Sequence, residues 1–441
     1  MLETALRLLK KIIPKPVFRA FQPIYHFFLA VTGNIFHRFP GYKITVIGVT
    51  GTNGKSTTSE ILCEVLKASG EKVGMISTVS IEIAGLRIDN KTNRTTLGRW
   101  KTHHLMREMV RRGCKYAVIE VASEGIAWHR VWGIPFDGAI FTNLAPEHLN
   151  FHKTMENYRN TKGKLFKKLS SLYNWKKTKR VSVVNADDKE SSYFLSFKAD
   201  EKYTFGIKKG DVKAKNIKLR VNGADYDISV QDKTYSVTTG AVGEFNIYNE
   251  LAAFCMGLGY GVKPEEMVKV LAKFSGTKGR VEHIDEGQDF SVIVDYAHTP
   301  DAQEQVYKEL NRFKKGRLIS VFGATGDKDR GKRPKMGRVA AELTDAIILT
   351  DDETYNEDSS QIIKEIYAGV PKKLQKKVTI VPDRFTAIKK ALAVAKKDDI
   401  VVITGVGHQK YRNQGGRKVV WDERQIVSDL LKDLKRSKNA K

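Results

Sequence analysis

The stretch Val46-Ile47-Gly48-Val49-Thr50-Gly51-Thr52-Asn53-Gly54-Lys55-Ser56-Thr57 has the residue types and spacing for phosphate chemistry. A β-branched run breaks into a glycine-rich turn ending in Gly-Lys-Ser, the order found in phosphate-binding loops. In such a loop the backbone N–H groups of Gly51, Thr52, Asn53 and Gly54 cradle phosphate oxygens. Lys55 balances the β/γ charge, Ser56 offers its hydroxyl to Mg2+, and the helix that follows Thr57 presents its positive end. The common pattern has a glycine where this chain has Val49, with Gly48 one place further out. Three other groups stand near the ends of apolar runs: Glu120 closes Ala117-Val118-Ile119-Glu120-Val121, His148 follows Ala139-Ile140-Phe141-Thr142-Asn143, and Lys162 lies in Tyr158-Arg159-Asn160-Thr161-Lys162. A carboxylate and an imidazole at neighbouring strand ends could hold a metal bridging phosphate oxygens, while each taken singly is an ordinary strand-end polar group.

These residues need a frame that brings strand ends together. From Tyr42 to about Gly240 short apolar runs alternate with helical stretches, the first at Ser59 to Ser69, as in a doubly wound, mostly parallel sheet. Asn222-Gly223, between Leu219-Arg220-Val221 and Tyr226-Asp227-Ile228, signals a hairpin within that domain. After Phe274-Ser275-Gly276-Thr277-Lys278-Gly279 the rhythm restarts with Ser291 to Asp295, Leu318 to Gly323, Ala346 to Thr350 and Ile400 to Gly405. The fold class is therefore α/β. A short helical N-terminal segment (1–40) precedes a central phosphate-loop domain (41–273) and a Rossmann-like C-terminal domain (274–441).

The 441 residues suffice for two or three cores, and 76 basic against 50 acidic residues give +26, which favours anionic partners. The lysines spread over helix surfaces and loop ends rather than interleaving with stacking aromatics, so nucleic acid is not expected as a partner. Cys63, Cys114 and Cys255 are an odd, widely spaced set that fits a reducing cytoplasm. Leu2 to Lys15 is basic and amphipathic, and Val17 to Phe36 is rich in aromatics. Arg19, Gln22, Pro23 and His26 interrupt the ~20 apolar residues that a membrane crossing needs. A cleaved signal peptide does not fit, because a loop for ATP, a cytoplasmic substrate, follows at once. An interfacial helix at the inner face of the membrane and a domain-packing helical hairpin both remain open.

From about residue 42 to residue 430 the chain resembles the Mur ligases, the ATP-dependent amino-acid ligases of peptidoglycan synthesis, and within them the UDP-N-acetylmuramoyl-tripeptide synthetase branch. The resemblance runs through "TGTNGKST", "IEVASEG", "FTNLAPEHLNFHKTMENYRNTKGKLF", "VNADD", "GEFNIYNELAA", "GRVE", "VDYAHTPDA", "VFGATGDKDRGKRPKMG", "LTDDE" and "TGVGHQKY". It implies that Lys55 and Ser56 hold the ATP phosphates and a first Mg2+, and that Glu120 and His148 hold magnesium between γ-phosphate and acceptor carboxylate. Lys162 matches the family's carbamylated lysine, which would turn a cation into an anion able to orient magnesium. Asn249 would meet the adenine, Arg280 the γ-phosphate and Asp295 the ribose, the last two from beyond the linker, so that domain closure completes the site. Thr95, Thr96, Ser123 and Arg130 would contact the muramoyl peptide. Asp352, Tyr355, Gly405 and Gln409 would face the incoming amine. The implied reaction makes an acyl phosphate that an amino group then attacks, joining an amino acid to a UDP-N-acetylmuramoyl dipeptide (L-Ala-D-Glu).

Three departures bear on substrate. The branch normally starts with a UDP-binding domain, and here about forty residues precede the loop. Those residues, another chain, or a membrane-borne muramoyl peptide would have to answer for that. Asp352-Glu353-Thr354-Tyr355 replaces the family's Asp-Asn-Pro-Arg, so the arginine that grips the distal carboxylate of diaminopimelate is absent. Gly405-Val406-Gly407-His408-Gln409 replaces Gly-Lys-Gly-His-Glu, putting a neutral amide where an acid would meet ammonium. Glu124 also stands where the branch usually has histidine. Lysine, diaminopimelate, another amine or ammonia all remain open. So do amidation of the glutamate of a lipid-linked muramoyl peptide and ligation to another peptide-like carboxylate. Folylpolyglutamate and cyanophycin synthetases match the motifs less well. A catalytically dead scaffold would have no need to keep Lys55, Glu120, His148 and Lys162 together.

Overall fold

A computed structural model describes residues 15–90, 92, 94–170 and 176–439. The basic stretch expected at the N-terminus lies, up to Pro14, outside the described residues. The aromatic stretch forms a helix, Lys15–Phe36, and no described helix is long and apolar enough to cross a membrane.

Two compact units divide the chain. The first gathers the residues up to Lys215, Asp227–Ser236 and Tyr248–Leu271; the second gathers Asn216–Tyr226, Val237–Ile247 and Ala272–Lys441. The principal sheet has eleven strands: β1 (Thr45–Thr50), β2 (Val73–Ile76), β3 (Ser80–Ile83), β4 (Leu86–Asp89), β5 (Tyr116–Glu120), β6 (Gly138–Phe141), β7 (Val181–Asn185), β8 (Glu201–Gly206), β9 (Val212–Arg220), β10 (Gly223–Val230) and β11 (Lys233–Thr239). Their order is β11-β10-β9-β8-β7-β6-β1-β5-β2-β3-β4. β1 pairs in parallel with β5 on one side and β6 on the other, with Val49 opposite Glu120 and Thr50 opposite Phe141. The connections diverge from β1 in opposite directions, so a crevice opens at its carboxyl end, beside those of β5 and β6. β2, β5, β6 and β7 are buried along their whole length, which is why they read as unbroken apolar runs. The turn between β9 and β10 falls at Val221-Asn222, where the Asn-Gly signal places it.

The first helix of the sheet begins at Lys55, four residues before the expected Ser59, and runs to Lys67. Gly54 takes a left-handed conformation (φ 81°) that turns the chain straight into the helix, leaving no intervening loop. The core of this unit joins Val46, Ala117, Ile119, Ala139, Phe141, Leu165 and Phe166.

In the second unit β12 (Glu282–Ile284), β13 (Ser291–Asp295), β14 (Leu318–Phe322), β15 (Ala346–Leu349), β16 (Val378–Ile380) and β17 (Ile400–Thr404) form a sheet in the order β12-β13-β17-β14-β15-β16. Only β12 runs antiparallel to its neighbour. Two apolar layers cover its faces, one around Ile293, Phe322 and Val402 and the other around Val294, Val321 and Val401. A buried ion pair ties the unit together at the strand ends. Arg384 Nε donates to Glu423 Oε2 at 2.6 Å, and Arg384 also donates to the carbonyls of Asp351 and Thr404. Removing either partner would strand a buried charge.

Candidate functional site

The phosphate loop is braced from three directions, all within the first unit. Thr52 N donates to the Asn143 carbonyl (2.8 Å) and Asn53 N to Asn143 Oδ1 (2.9 Å), tying the loop to the end of β6. Thr142 Oγ1 donates to the Asn53 carbonyl at 2.7 Å. Asn249, on the helix Glu244–Gly259, lies so close that a Cβ on Gly54 would come within 2.2 Å of its Oδ1, which accepts from Thr58 Oγ1. Gly51 (φ 153°) leaves no room either, since a Cβ there would meet Thr142 Oγ1 at 1.8 Å. Lys55 Nζ folds back over the loop to the Thr52 carbonyl at 2.6 Å. This lysine thus closes onto the loop's own backbone.

At the end of β5, Glu120 is 1% exposed, and its Oε2 accepts from Ser56 Oγ (2.9 Å), Thr78 N (2.7 Å) and Thr78 Oγ1 (2.9 Å). Among the described residues no cation forms a salt bridge with this carboxylate. A buried anion without a counter-cation, sharing one oxygen with the loop's serine, fits a divalent cation site.

Lys162 is also 1% exposed, on the helix Met155–Leu169. Its Nζ donates to the Gly51 carbonyl at 2.7 Å and lies 4.5 Å from the centre of the Tyr158 ring, one turn earlier. Burial above all, with the charge of Lys55 adding to it, holds the Lys162 ammonium well below the ordinary lysine range. Tyr158 meets Thr52 Oγ1 at 3.2 Å, so one helix supports the loop at two points.

His148 stands apart from Glu120 in its surroundings. It is half-exposed in a left-handed conformation (φ 56°), with Nδ1 3.6 Å from Glu124 and Nε2 3.8 Å from Glu147. Glu124, the residue that departs from the family pattern, is thus a partner of His148. His152, one turn on, is buried and meets Ser123 Oγ at 2.9 Å. Beside Ser123, Thr96 Oγ1 accepts from Ala122 N at 2.9 Å, the Thr96 carbonyl accepts from Arg130 Nη1 at 2.8 Å, and the Thr95 and Thr78 hydroxyls meet at 3.0 Å. The four expected peptide contacts therefore form one connected wall that reaches Glu120 through Thr78.

In the second unit the expected residues gather at the carboxyl ends of β13, β15 and β17. Asp295, buried, accepts from Val281 N (2.7 Å) and Ala297 N (2.6 Å), and burial raises its pKa against the opposing pull of Arg280. The Arg280 guanidinium lies 5.0 Å from the centre of the Tyr296 ring. Gln409 Nε2 donates to Tyr296 Oη at 3.1 Å, while its buried Oε1 has no partner among the described residues. Gly405 (φ 118°) brings the backbone against Asp352, where a Cβ would sit 2.2 Å from Oδ2. Tyr355 is left-handed (φ 50°) and bridges to Gln414.

Thr78, Tyr158, His152 and Glu124 were not singled out from the sequence as site residues. The i, i+4 spacings His148/His152 and Tyr158/Lys162 were available signals; Thr78 has none. Two buried imidazoles give a testable pH dependence. Burial, with the charges of His37 and Lys168 adding, holds His103 down to about 4, and burial with Lys162 and His148 does the same for His152. Both folded values lie below the unfolded 6.5, so the unfolded chain takes up protons first, and stability present above pH ~6.5 is lost as pH falls toward 4. The urea midpoint is expected to be lower at pH 5 than at pH 7.5, and His103→Gln should narrow that gap. An unchanged gap in the variant would remove His103 from the account.

Residues 49–257 match the Mur ligase middle domain, and residues 279–407 match the Mur ligase, glutamate ligase domain. A UDP-N-acetylmuramoyl-L-alanyl-D-glutamate–2,6-diaminopimelate ligase of Clostridium acetobutylicum is 39% identical over 409 residues, covering 92% of this chain and 82% of that one. The corresponding Aquifex aeolicus ligase is 38% identical over 402 residues, 90% and 80% of the two chains. A solved structure of a ligase of that name superposes with a TM-score of 0.65 at 30% identity, over 89% of this chain and 79% of the other. A folylpolyglutamate synthase of Mycobacterium tuberculosis, complexed with ADP and AMPPCP, shares the fold, with a TM-score of 0.69 at 14% identity over 92% and 94%.

Proposed function

The chain belongs to the Mur ligase family, and on that premise we propose how its residues divide the work of a peptide ligase. It is an ATP-dependent amide ligase of peptidoglycan synthesis that adds an amino acid to UDP-N-acetylmuramoyl-L-alanyl-D-glutamate. The acceptor's carboxylate oxygen attacks the γ-phosphorus of ATP and ADP departs. The amine nitrogen then attacks the acyl-phosphate carbon, phosphate leaves, and the nitrogen gives up a proton. The convergence of Lys55, Ser56, Glu120 and Lys162 around one loop carries this reading, because in-line phosphoryl transfer needs chiefly positioning and cationic stabilisation.

Within it, Gly51, Thr52, Asn53, Gly54 and Thr57 cradle the phosphates, Lys55 neutralises them, and Asn249 meets the nucleotide beside the loop. Ser56 and Glu120 would hold Mg2+ with support from His148, and the ion would supply charge neutralisation on the phosphates. The family resemblance assigns the γ-phosphate to Arg280 and the ribose to Asp295. Lys162 is read as carbamylated. Addition of CO2 requires the uncharged amine, and burial beside Lys55 favours that form.

Asp352 and Gln409 Oε1 are acceptors suited to an ammonium group, and position 355 offers a phenol where a guanidinium would clamp a second carboxylate. The reading is an amino acid chosen by its amine, so kcat/KM for lysine should equal or exceed that for diaminopimelate. A second reading concerns where the acceptor resides. Phe28, Ile35, Phe36, Phe39 and Trp100 are exposed, with Phe36 4.8 Å from Trp100, and the exposed Arg38, Lys43 and Lys101 are their neighbours in sequence. An aromatic surface with basic flanks suits the inner, anionic face of a membrane and a lipid-linked muramoyl peptide.

One experiment tests both. The UDP-linked dipeptide, and separately a lipid-linked muramoyl peptide in anionic vesicles, would be incubated with ATP and a panel of lysine, diaminopimelate, other amino acids and ammonia. Products are read by mass. A gain of one amino acid less water on the UDP-linked acceptor is expected. Exclusive use of diaminopimelate would overturn the amine reading, and product formed only in vesicles would move the acceptor to the membrane.

A further inference from the structure

Glu124, the residue that departs from the family pattern, stands in the first turn of the short helix Ser123–Ala127, with Oε1 3.6 Å from His148 Nδ1. Glu147 Oε2 lies 3.8 Å from Nε2, at the other nitrogen of the same ring. Both separations are too long for hydrogen bonds, which hold nitrogen and oxygen about 2.7–3.2 Å apart. They match the spacing of donor atoms that share one divalent ion. Donors about 2.1–2.2 Å from an ion, at roughly 90–120° to one another, lie about 3.0–3.8 Å apart.

The charges point the same way. Among the described residues neither glutamate forms a salt bridge with a lysine or arginine, and the ion pair of each is with His148. Arg130 feels the charge of Glu124, and Lys162 that of Glu147, without pairing with it. In a chain of net charge +26, two carboxylates left to a single imidazole are an exception that a divalent cation answers. All three side chains are half-exposed, so an ion and the oxygens of a bound substrate can reach them. The other nearby imidazole, His152, is committed to Ser123 Oγ at 2.9 Å.

We propose that Glu124 is a further ligand of the divalent cation, sharing it with His148 through Oε1 and Nδ1, while Glu147 accepts from Nε2–H and fixes the ring. A metal-bound histidine commonly gives its other N–H to a carboxylate in this way, which sets both tautomer and orientation. The proposal rests on the metal role of His148 in the reading above and adds to it a ligand peculiar to this chain. An imidazole and a carboxylate from the protein can hold the ion before nucleotide arrives, so binding is measurable apart from turnover.

Mn2+, which takes the oxygen ligands of Mg2+, is titrated into the nucleotide-free full chain, and the free ion is followed by electron paramagnetic resonance. Spin-echo modulation from an imidazole nitrogen reports whether the bound ion touches His148. The parent should show that modulation, and His148→Gln should lose it. Glu124→Gln, isosteric but uncharged, should weaken Mn2+ binding by about tenfold or more, and Glu124→Asp should recover part of the loss. Thermal unfolding of both variants should match the parent, since the side chain is half-exposed. Binding within about twofold of the parent in Glu124→Gln, or no nitrogen modulation in the parent, would overturn the ligand. Ligation that proceeds while Glu124→Gln binds Mn2+ normally would sink the ligand and leave the reaction standing. No ligation with any amine, alongside Mn2+ binding that falls in Glu124→Gln, would do the reverse.

Discussion

Replacing Glu120 by Gln is expected to lower kcat on the order of 10³-fold, with the fold intact and a stronger dependence of the residual rate on Mg2+ concentration. The three donors from Ser56 and Thr78 converge on Oε2 alone. An amide can turn its oxygen toward them, so the local hydrogen bonds survive. What the substitution removes is the negative charge, buried at 1% exposure where no cation among the described residues forms a salt bridge with it. In so dry a place a full charge facing a cation is worth far more than at the surface, and its loss falls on the step in which phosphate charge develops. Thermal unfolding, KM for ATP and kcat against Mg2+ would be measured together. A kcat within threefold of the parent, with normal folding, would remove Glu120 from the metal role.

The frame of this site was legible because its signals are local. The glycine-rich turn, the apolar runs of β1, β5 and β6, and the Asn-Gly turn each declare themselves within a few residues, and parallel strands buried on both faces cannot hide their composition. The helix start was misplaced by four residues because Gly54's left-handed turn is a backbone event that propensity does not report. The support of the site was not legible, since it is made across long stretches of chain. Thr78 reaches Glu120 over 42 residues and Lys162 reaches Gly51 over 111, and no spacing rule connects such pairs. Glu124 stands out in the sequence as a departure. That it lies 3.6 Å from His148 depends on how a short helix returns the chain past β5, which only the fold settles. In the second unit, the missing arginine is visible in sequence, whereas the lack of any partner for Gln409 Oε1 among the described residues is not.

Lys162→Ala should abolish measurable ligation, a loss on the order of 10³-fold or more, and a short carboxylic acid such as acetate or formate should restore part of it. The argument begins with burial. A lysine 1% exposed, anchored to the Gly51 carbonyl and repelled by Lys55, pays heavily to stay charged. A structural cation could be kept more cheaply at the surface, so this position favours a group that works in its neutral form or after conversion to an anion. Carbamylation does the latter: the amine adds CO2, loses a proton, and presents a carboxylate within reach of the loop. Alanine leaves a cavity of the right polarity for a small carboxylate to replace that function. Lys162→Met, similar in length but apolar, fills the cavity and should not be rescued. Activity would be assayed with and without added acid for both variants, alongside intact mass of the native protein under bicarbonate for the added CO2. Full activity in Lys162→Ala, or equal rescue of alanine and methionine variants, would show that the lysine serves the loop only as a strut.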